Sequence, residues 1–368
     1  MRNLISIIIV MNLMFLLTGC FGAKEIEGET YVTAIGVDYN EGKFKVYVQG
    51  LNFGNIAKQE GAAMEQQPIL IGEAEGDNIS AAIGLLEQTT ALPLNYGHIH
   101  TFILSKRVME EKMADVIDLI NHQPLLRYTF YLFGTEENLK SLMQTQSFFN
   151  YPQLYSIIHR PKKIIQYNYV LPILMYNQFI SRYERPVGTV LIPSLTIDKN
   201  HFSEKKEKSI PVINGEYLFS GQQYKGWLSK KDLSGIRWFQ SGIQGITVRI
   251  GTENIVVRVK DPKTKIEVLK GKNPSYRIVV KADAILSLNS KNQPLKEVEN
   301  ELNKRIKRDI VNTIRKGQLL ETDVLNISEK SYKYYLNRWN IETIRGFNED
   351  SVKKIQVRIQ VDPGNSKK

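Results

Sequence analysis

The spacing of apolar positions changes several times along the chain, and each change marks an element. Tyr31 to Val37 and Lys43 to Leu51 are rich in Val, Ile and Tyr and flank the turn residues Asp38-Tyr39-Asn40-Glu41-Gly42, which predicts a β-hairpin. Asn52 to Gln67 is polar and rich in Gly and Ala and reads as a loop, with a short strand over Ile69 to Ala74. Asp77 or Asn78 can cap a helix whose inward stripe is Ile79, Ala82, Ile83, Leu86 and Thr90. Asn95-Tyr96-Gly97 turns into a strand predicted over His98 to Leu104. Ser105 then opens a second helix, with Val108, Met113, Val116, Ile117 and Ile120 inward. A strand over Tyr128 to Phe133 and a short helix over Glu136 to Gln144 follow. Tyr151 to Pro161 is aromatic and turn-rich. A helix is predicted from about Val170 to Arg182 with Pro172 in its first turn, and a strand over Pro186 to Ile197. The charged run His201 to Lys208 marks a first boundary.

In the second half, Pro211 to Lys225 alternates around Val212, Tyr217 and Phe219 and reads as strands joined at Ser220-Gly221. Ile243 to Ile250, Ile255 to Val259, Lys265 to Val268 and Tyr276 to Leu288 form successive strands. Gly251-Thr252, Asp261-Pro262 and Gly271-Lys272-Asn273-Pro274 punctuate them as a meander. Pro294 opens the clearest helix, with Leu295, Val298, Leu302, Ile306, Ile310 and Ile314 at i+3 or i+4 steps and Gly317 at its end. A further helix is predicted from about Asp323 to Trp339, and Ile355, Val357, Ile359 and Val361 alternate as a last strand. The fold class is α+β (mixed α/β): a multi-domain chain with mixed and antiparallel sheets, packed helices and a long amphipathic helix in the C-terminal domain.

The N-terminus follows another pattern. Met1-Arg2 precedes an apolar run from Leu4 to Leu17, broken only by Ser6 and Asn12, and Leu17-Thr18-Gly19-Cys20 closes it. These are the n-region, h-region and small-residue cleavage site of a secretory signal. The run of about 14 residues is short against the roughly 20 that span a bilayer. A cysteine directly after the cleavage site resembles the lipobox of bacterial lipoproteins, in which Cys20 becomes the acylated N-terminus. Two acyl chains suffice for stable anchoring where one is marginal. The expected division is therefore 1–19 signal peptide, 20–200 N-terminal α/β region, 201–245 small middle β region, 246–362 C-terminal α+β domain and 363–368 tail. The N-terminal region reads either as one domain or as two, the first completed by strands from 210–228. In that arrangement the Tyr31–Leu51 hairpin pairs with strands near Val212 to Lys225.

Composition changes this picture in two respects. Cys20 is the only cysteine among 368 residues, so once acylated it leaves no thiol for a disulfide, for redox work or for nucleophilic catalysis. The net charge of +11 admits a nucleic-acid reading, but an exported, anchored protein meets anionic lipid headgroups first. A solvated basic surface without a specific partner is the bland alternative.

Signals for catalysis are sparse. G-x-S-x-G is absent, and Gly36 to Gly42-Lys43 has the wrong spacing for a P-loop. His98 and His100 form an H-x-H pair on a predicted strand, where both would point to one face. A metal needs a third and usually a fourth ligand, and spacing implies none, so the pair reads as a packed or turn-bonded His98 and an exposed His100. No cofactor is expected. Glu25/Glu27/Glu29 lie in the tether. Glu297/Glu299/Glu301 and the Lys and Arg residues from Lys304 to Lys316 suit the two ends of a helix dipole. Trp227, Trp238, Phe239 and Trp339 read either as core or interface packing or as a ligand platform. Phe148, Phe149, Tyr151, Tyr155 and Tyr167 to Tyr169 lie in turn-rich sequence and are the candidate contact surface for a partner.

Several stretches occur in an order that carries a family resemblance. After the lipobox come Val32-Thr33-Ala34-Ile35-Gly36-Val37-Asp38, then Asn95-Tyr96-Gly97-His98-Ile99-His100-Thr101-Phe102-Ile103-Leu104-Ser105, and Pro124-Leu125-Leu126-Arg127. Gly226-Trp227-Leu228, Gly235-Ile236-Arg237-Trp238, Ala282-Asp283-Ala284 and the helix Val298-Glu299-Asn300-Glu301-Leu302 to Asp323 complete the set. In this order, over essentially the whole chain, they resemble the C subunit of spore germination receptors, the Ger(x)C lipoproteins. The family's Trp-Asp-like start after the lipobox is replaced here by Phe21-Gly22-Ala23-Lys24. The resemblance implies a non-enzymatic lipoprotein that joins an A subunit and a transporter-like membrane B subunit on the outer face of the cell membrane, the inner membrane of the spore. The complex would respond to nutrients that this chain meets only indirectly. A solute-binding lipoprotein that captures the nutrient itself would instead need an aromatic-lined cleft between domains. An envelope hydrolase would need two converging carboxylates or a metal.

Overall fold

The computed structural model describes residues 28–51, 69–123, 126–145, 147–151, 153–165, 171–204, 206–240, 243, 245–251, 255–290 and 292–364. The signal segment, Cys20, the loop expected over 52–67 and Tyr167 to Tyr169 lie outside the described residues. In chain order the strands are β1 (Thr30–Asn40), β2 (Lys43–Leu51), β3 (Leu70–Gly76), β4 (Leu94–Asn95), β5 (Thr101–Ser105), β6 (Tyr131–Thr135), β7 (Val190–Asp198), β8 (Ser203–Glu204), β9 (Lys206–Glu207), β10 (Ile210–Ser220), β11 (Gln223–Ser229), β12 (Ile246–Ile250), β13 (Ile255–Leu269), β14 (Ser275–Asn289) and β15 (Val352–Asp362). The helices are α1 (Ile79–Thr89), α2 (Lys106–Glu111), α3 (Met113–His122), α4 (Leu139–Met143), α5 (Pro161–Ile165), α6 (Tyr176–Tyr183), α7 (Leu295–Gln318), α8 (Glu329–Tyr334) and α9 (Ile341–Arg345). The α+β class expected from periodicity is the class observed.

A nine-stranded sheet in the order β11-β10-β7-β6-β5-β1-β2-β3, with β4 beside β1, forms the first layer. Its middle strands β1, β5, β6 and β7 run parallel, and its flanks are antiparallel. Every residue of β5 is buried, as expected of a parallel strand covered on both faces. One face packs against α1, α2, α3 and α6 through Ile79, Leu86, Val108, Val116, Ile120 and Phe179. The other face carries Ala34, Tyr47, Ile103 and Phe133. It packs on α4 and Ile158 and continues without a break into the core of the C-terminal unit.

That unit is a second sheet, β12-β13-β14-β15, crossed by α7. The apolar stripe of α7 buries Val298, Leu302, Ile306, Ile310 and Ile314. The hand-off between the units is close. Thr313 Oγ1 on α7 donates to the Asp232 carbonyl at 2.7 Å and accepts from Gly235 N–H at 2.9 Å. A Cβ at Gly235 would lie 2.8 Å from the Asp309 carbonyl oxygen, so only glycine lets that turn approach the helix. A second seam joins the segment before β7 to the region around α8. The Asn326 side chain pairs with both backbone polar groups of Thr189, at 2.6 and 3.0 Å. Arg345 Nε donates to the Pro186 carbonyl at 2.6 Å.

Five expectations differ from the structure. The region 201–245 does not form a β unit of its own, because β10 and β11 extend the large sheet from β7. The Tyr31–Leu51 hairpin does not pair with β10 or β11 either, since β5, β6 and β7 lie between them. The helix predicted from about 170 begins only at Tyr176. Pro172 removes a donor and biases its predecessor towards extended backbone. The segment instead joins β6, Leu132 N–H donating to the Leu174 carbonyl at 3.0 Å and Tyr176 N–H to the Phe130 carbonyl at 3.0 Å. The helix predicted over 323–339 shrinks to α8. Asp323 accepts from Ser328 N–H and Oγ at 2.6 Å, and Asn326 takes a positive φ of 53° to reach Thr189. Asp261-Pro262 is not a turn. It sits in a bulge inside the 15-residue β13, where the register shifts between Lys260 and Lys263, a site at which a strand tolerates proline.

Candidate functional site

The candidate contact residues form a ledge on the segment between α4 and α5. Two short 3-10 turns, Phe148–Asn150 and Gln153–Tyr155, carry it. Phe149 stands at φ 53° and ψ 37° with its residue 73 % exposed. A bulky residue in the left-handed region costs about 1–3 kcal/mol. Phe148 meets Phe149 at a ring separation of 6.1 Å and the exposed Phe202 edge-on at 5.1 Å. Tyr151 and Tyr155, both exposed, lie 5.5 Å apart, and the Arg160 guanidinium covers the Tyr155 ring at 4.2 Å, a cation–π contact. Phe202 was not singled out from the sequence. It comes from the charged 201–208 stretch, and only the chain's return path brings it to Phe148.

What holds the ledge is a buried polar network. Gln49 on β2 is fully buried and donates from Nε2 to the Met143 carbonyl at 2.7 Å and to Gln153 Oε1 at 2.5 Å. Its Oε1 accepts from Thr33 Oγ1 at 3.2 Å and bonds His159 Nε2 at 2.8 Å. Gln153 Nε2 donates in turn to the carbonyls of Met143 at 2.6 Å and Thr145 at 2.7 Å. Thr101 Oγ1 on β5 closes the far end by donating to the Ile158 carbonyl at 2.5 Å. Because Gln49 Oε1 is an acceptor, His159 carries a hydrogen on Nε2; burial keeps the ring neutral. Burial, with His100 and Arg160 nearby, pushes its pKa down to about 3. Side-chain amides bonded to loop carbonyls replace the ladder that an irregular segment lacks.

The other candidates fall elsewhere. His98 lies in a 3-10 turn rather than a strand and packs edge-on against Tyr31 at 5.1 Å. His100 precedes β5, so the two do not share a strand face. Among the described residues no group of three or more His, Cys, Asp or Glu is placed to hold a metal. Trp238 is fully buried, its Nε1 donating to Asp309 Oδ2 at 3.4 Å. Trp339 Nε1 donates to the Lys272 carbonyl at 3.0 Å beside Val187 and Ile344. Trp227 alone of the three is exposed, so the tryptophans form no common platform. The aromatic-lined cleft that solute capture requires is not what the described residues build. The large cleft between the units is lined by Lys and Arg. A cavity of about 200 Å³ bounded by Ile35, Ile83, Phe102 and Leu119 lies inside the first unit. No helix among the described residues is long and apolar enough to cross a membrane.

Comparison with known proteins matches the chain in two consecutive stretches, the second beginning inside β10. Residues 22–197 match the family described as Spore germination protein N-terminal domain. Residues 214–363 match Spore germination B3/GerAC like, C-terminal. Spore germination protein KC of Bacillus subtilis (strain 168) is 20 % identical over 365 residues, covering 92 % of this chain and 89 % of the relative. Spore germination protein GerQC of Bacillus cereus is 20 % identical over 371 residues, covering 96 % of each. The crystal structure of the GerBC protein superposes with a TM-score of 0.53 at 17 % identity, over 90 % of this chain and 99 % of that one, so the fold is shared. With both halves matched in order and the fold in common, the chain belongs to the GerAC family of spore germination proteins, the C subunits of germinant receptors.

Proposed function

We propose that the chain is a lipid-anchored, non-catalytic receptor subunit, held at the outer face of the membrane through acylated Cys20 and docked on the membrane A and B subunits through the aromatic ledge. The observation that carries this reading is the ledge itself: exposed Phe149, Tyr151, Tyr155 and Phe202 on an irregular segment that a buried amide network holds in one conformation. Rigid, exposed aromatics are what interface hot spots are made of. Anchoring supports the same reading, since a tethered protein meets its membrane partner at high effective concentration and modest contacts suffice.

Phe149 separates docking from folding. Phe149→Asn places a residue that tolerates the left-handed region where the phenyl ring stood. The expected outcome is an unchanged or higher Tm together with at least tenfold weaker retention of the membrane subunits in pull-down from spore membranes. Retention at the wild-type level would remove the ledge from the interface.

A further inference from the structure

The cleft between the two units concentrates positive charge. It has a volume of about 810 Å³ and is bounded by α7, by the turn after β11, by the edge strand β12 with its neighbour β13, and by Leu171 of the first unit. Six cations line it: Lys230, Lys231, Arg237, Arg258, Arg305 and Arg308. Asp309 is the one carboxylate in the lining, its side chain 5 % exposed, and it is already engaged. Arg237 Nη2 reaches its Oδ2 at 3.1 Å and Arg305 Nε its Oδ1 at 2.9 Å. Those two guanidinium groups are thereby fixed in place. Lys230, Lys231, Arg258 and Arg308 have no ion-pair partner among the described residues, and all four are exposed. Here the cations converge on one concavity from three separate stretches of chain, with a buried acid orienting two of them.

We propose that this cleft binds a phosphate-bearing ligand carrying two or more negative charges, and that the bound ligand bridges the two units. The volume lies within the range of small-molecule sites. Guanidinium groups present paired donors that match phosphate oxygens. Four cations without carboxylate partners call for more than a single negative charge. The same chemistry is offered by a membrane-lipid headgroup and by a soluble phosphate compound.

The test uses the full chain in detergent, with inorganic pyrophosphate as the probe and calorimetry and Tm as readouts. Saturable binding with a raised Tm is expected, weakened about tenfold or more in Arg308→Gln and in Arg258→Gln and unchanged in Lys354→Gln, which removes an equal charge from the exposed face of β15. Absence of saturable binding overturns the proposal. Equal losses in all three variants overturn it too, because they would show only an overall charge effect. Citrate binding as tightly as pyrophosphate overturns the assignment to phosphate. Vesicles containing phosphatidylglycerol then locate the source. Vesicle binding that Arg308→Gln weakens and pyrophosphate displaces, measured against phosphatidylcholine vesicles, supports the proposal with a lipid headgroup as ligand. Vesicle binding indifferent to both, alongside cleft-dependent pyrophosphate binding, supports it with a soluble ligand.

Discussion

At the scale of single residues, two buried titratable groups pull stability in opposite directions with pH. His159 is neutral in the fold with its pKa pushed down to about 3 from an ordinary 6.5. Its contribution is complete above pH 6.5. Below that the unfolded chain takes up a proton that the folded chain refuses, so stability falls by about 1.4 kcal/mol per pH unit towards pH 3. His159→Gln keeps a donor for Gln49 Oε1 without a titrating ring. Thermal unfolding between pH 7 and pH 4 should therefore show a shallower acid slope than wild type; parallel slopes would mean that His159 is not held neutral. Glu216 on β10 is fully buried and neither carboxyl oxygen has a hydrogen-bond partner. Burial raises its pKa well above the usual carboxylate range. The folded chain keeps its proton as pH rises, while the unfolded chain releases its own above about pH 4.5, so stability is lost towards neutral pH. Glu216→Gln should raise the Tm at pH 7, by about 2 °C per kcal/mol recovered, and leave it unchanged below pH 4. A Tm at pH 7 no higher than wild type would show that Glu216 finds a partner or stays charged. Neither effect is legible in the sequence: Glu216 sits in the run Gly215-Glu216-Tyr217 like any solvent-facing strand residue, and only its place between β7 and β11 in the tertiary fold makes it buried.

At the scale of elements, the joints matter most. Gly188 has φ +106°, and a Cβ there would lie 2.9 Å from Asn326 Oδ1. The positive φ and the two hydrogen bonds between Asn326 and Thr189 define one seam. Gly188→Ala combines backbone strain with loss of that approach and should cost about 2–4 kcal/mol. Asn326→Gly, which suits the φ of 53° and orphans the Thr189 groups, should cost about 1–3 kcal/mol. Denaturant titration would measure both, and the two together should cost less than their sum because they share one contact. Fully additive losses would separate the glycine from the seam. The long helix behaves differently. Its stripe from Val298 to Ile314 is local information, each apolar residue three or four from the last, and the observed α7 reproduces it. The stretch after it departs from its periodicity for the opposite reason. Val324, Ile327 and Tyr334 stand three and seven residues apart, a helical spacing, but Asp323 caps locally on Ser328 and Asn326 turns out towards Thr189, a partner more than a hundred residues away.

At the scale of the whole molecule, the proposed anchoring and the proposed docking are separable. Cys20→Ala should move the protein from the membrane to the soluble fraction, because it leaves no acyl chain. It should leave the folded body intact, with a Tm within about 1 °C of wild type. Retention in the membrane fraction would instead point to protein contacts as the anchor. The two sheets share one continuous apolar core, so heating should unfold them in a single transition rather than two. Calorimetry that resolves two peaks would show that the seams at Thr189 and Gly235 are too weak to couple them.

Hydrophobic periodicity alone determined the hairpin β1–β2, the first helix, the long helix and the last strand, because each is set by neighbours within a few residues. Leu17-Thr18-Gly19-Cys20 and the ordered family stretches likewise carried the expectation of a lipid-anchored receptor subunit without any structure. Tertiary structure decided everything that joins distant segments. It placed β10 and β11 in the large sheet, brought Gln49, Gln153 and His159 together under the ledge, set Phe202 against Phe148, and converged six cations from three parts of the chain on one cleft. Periodicity reports which face of an element is buried. It is silent on what lies opposite that face, and in this protein the ledge, the seams and the cleft are all made of such opposing pairs.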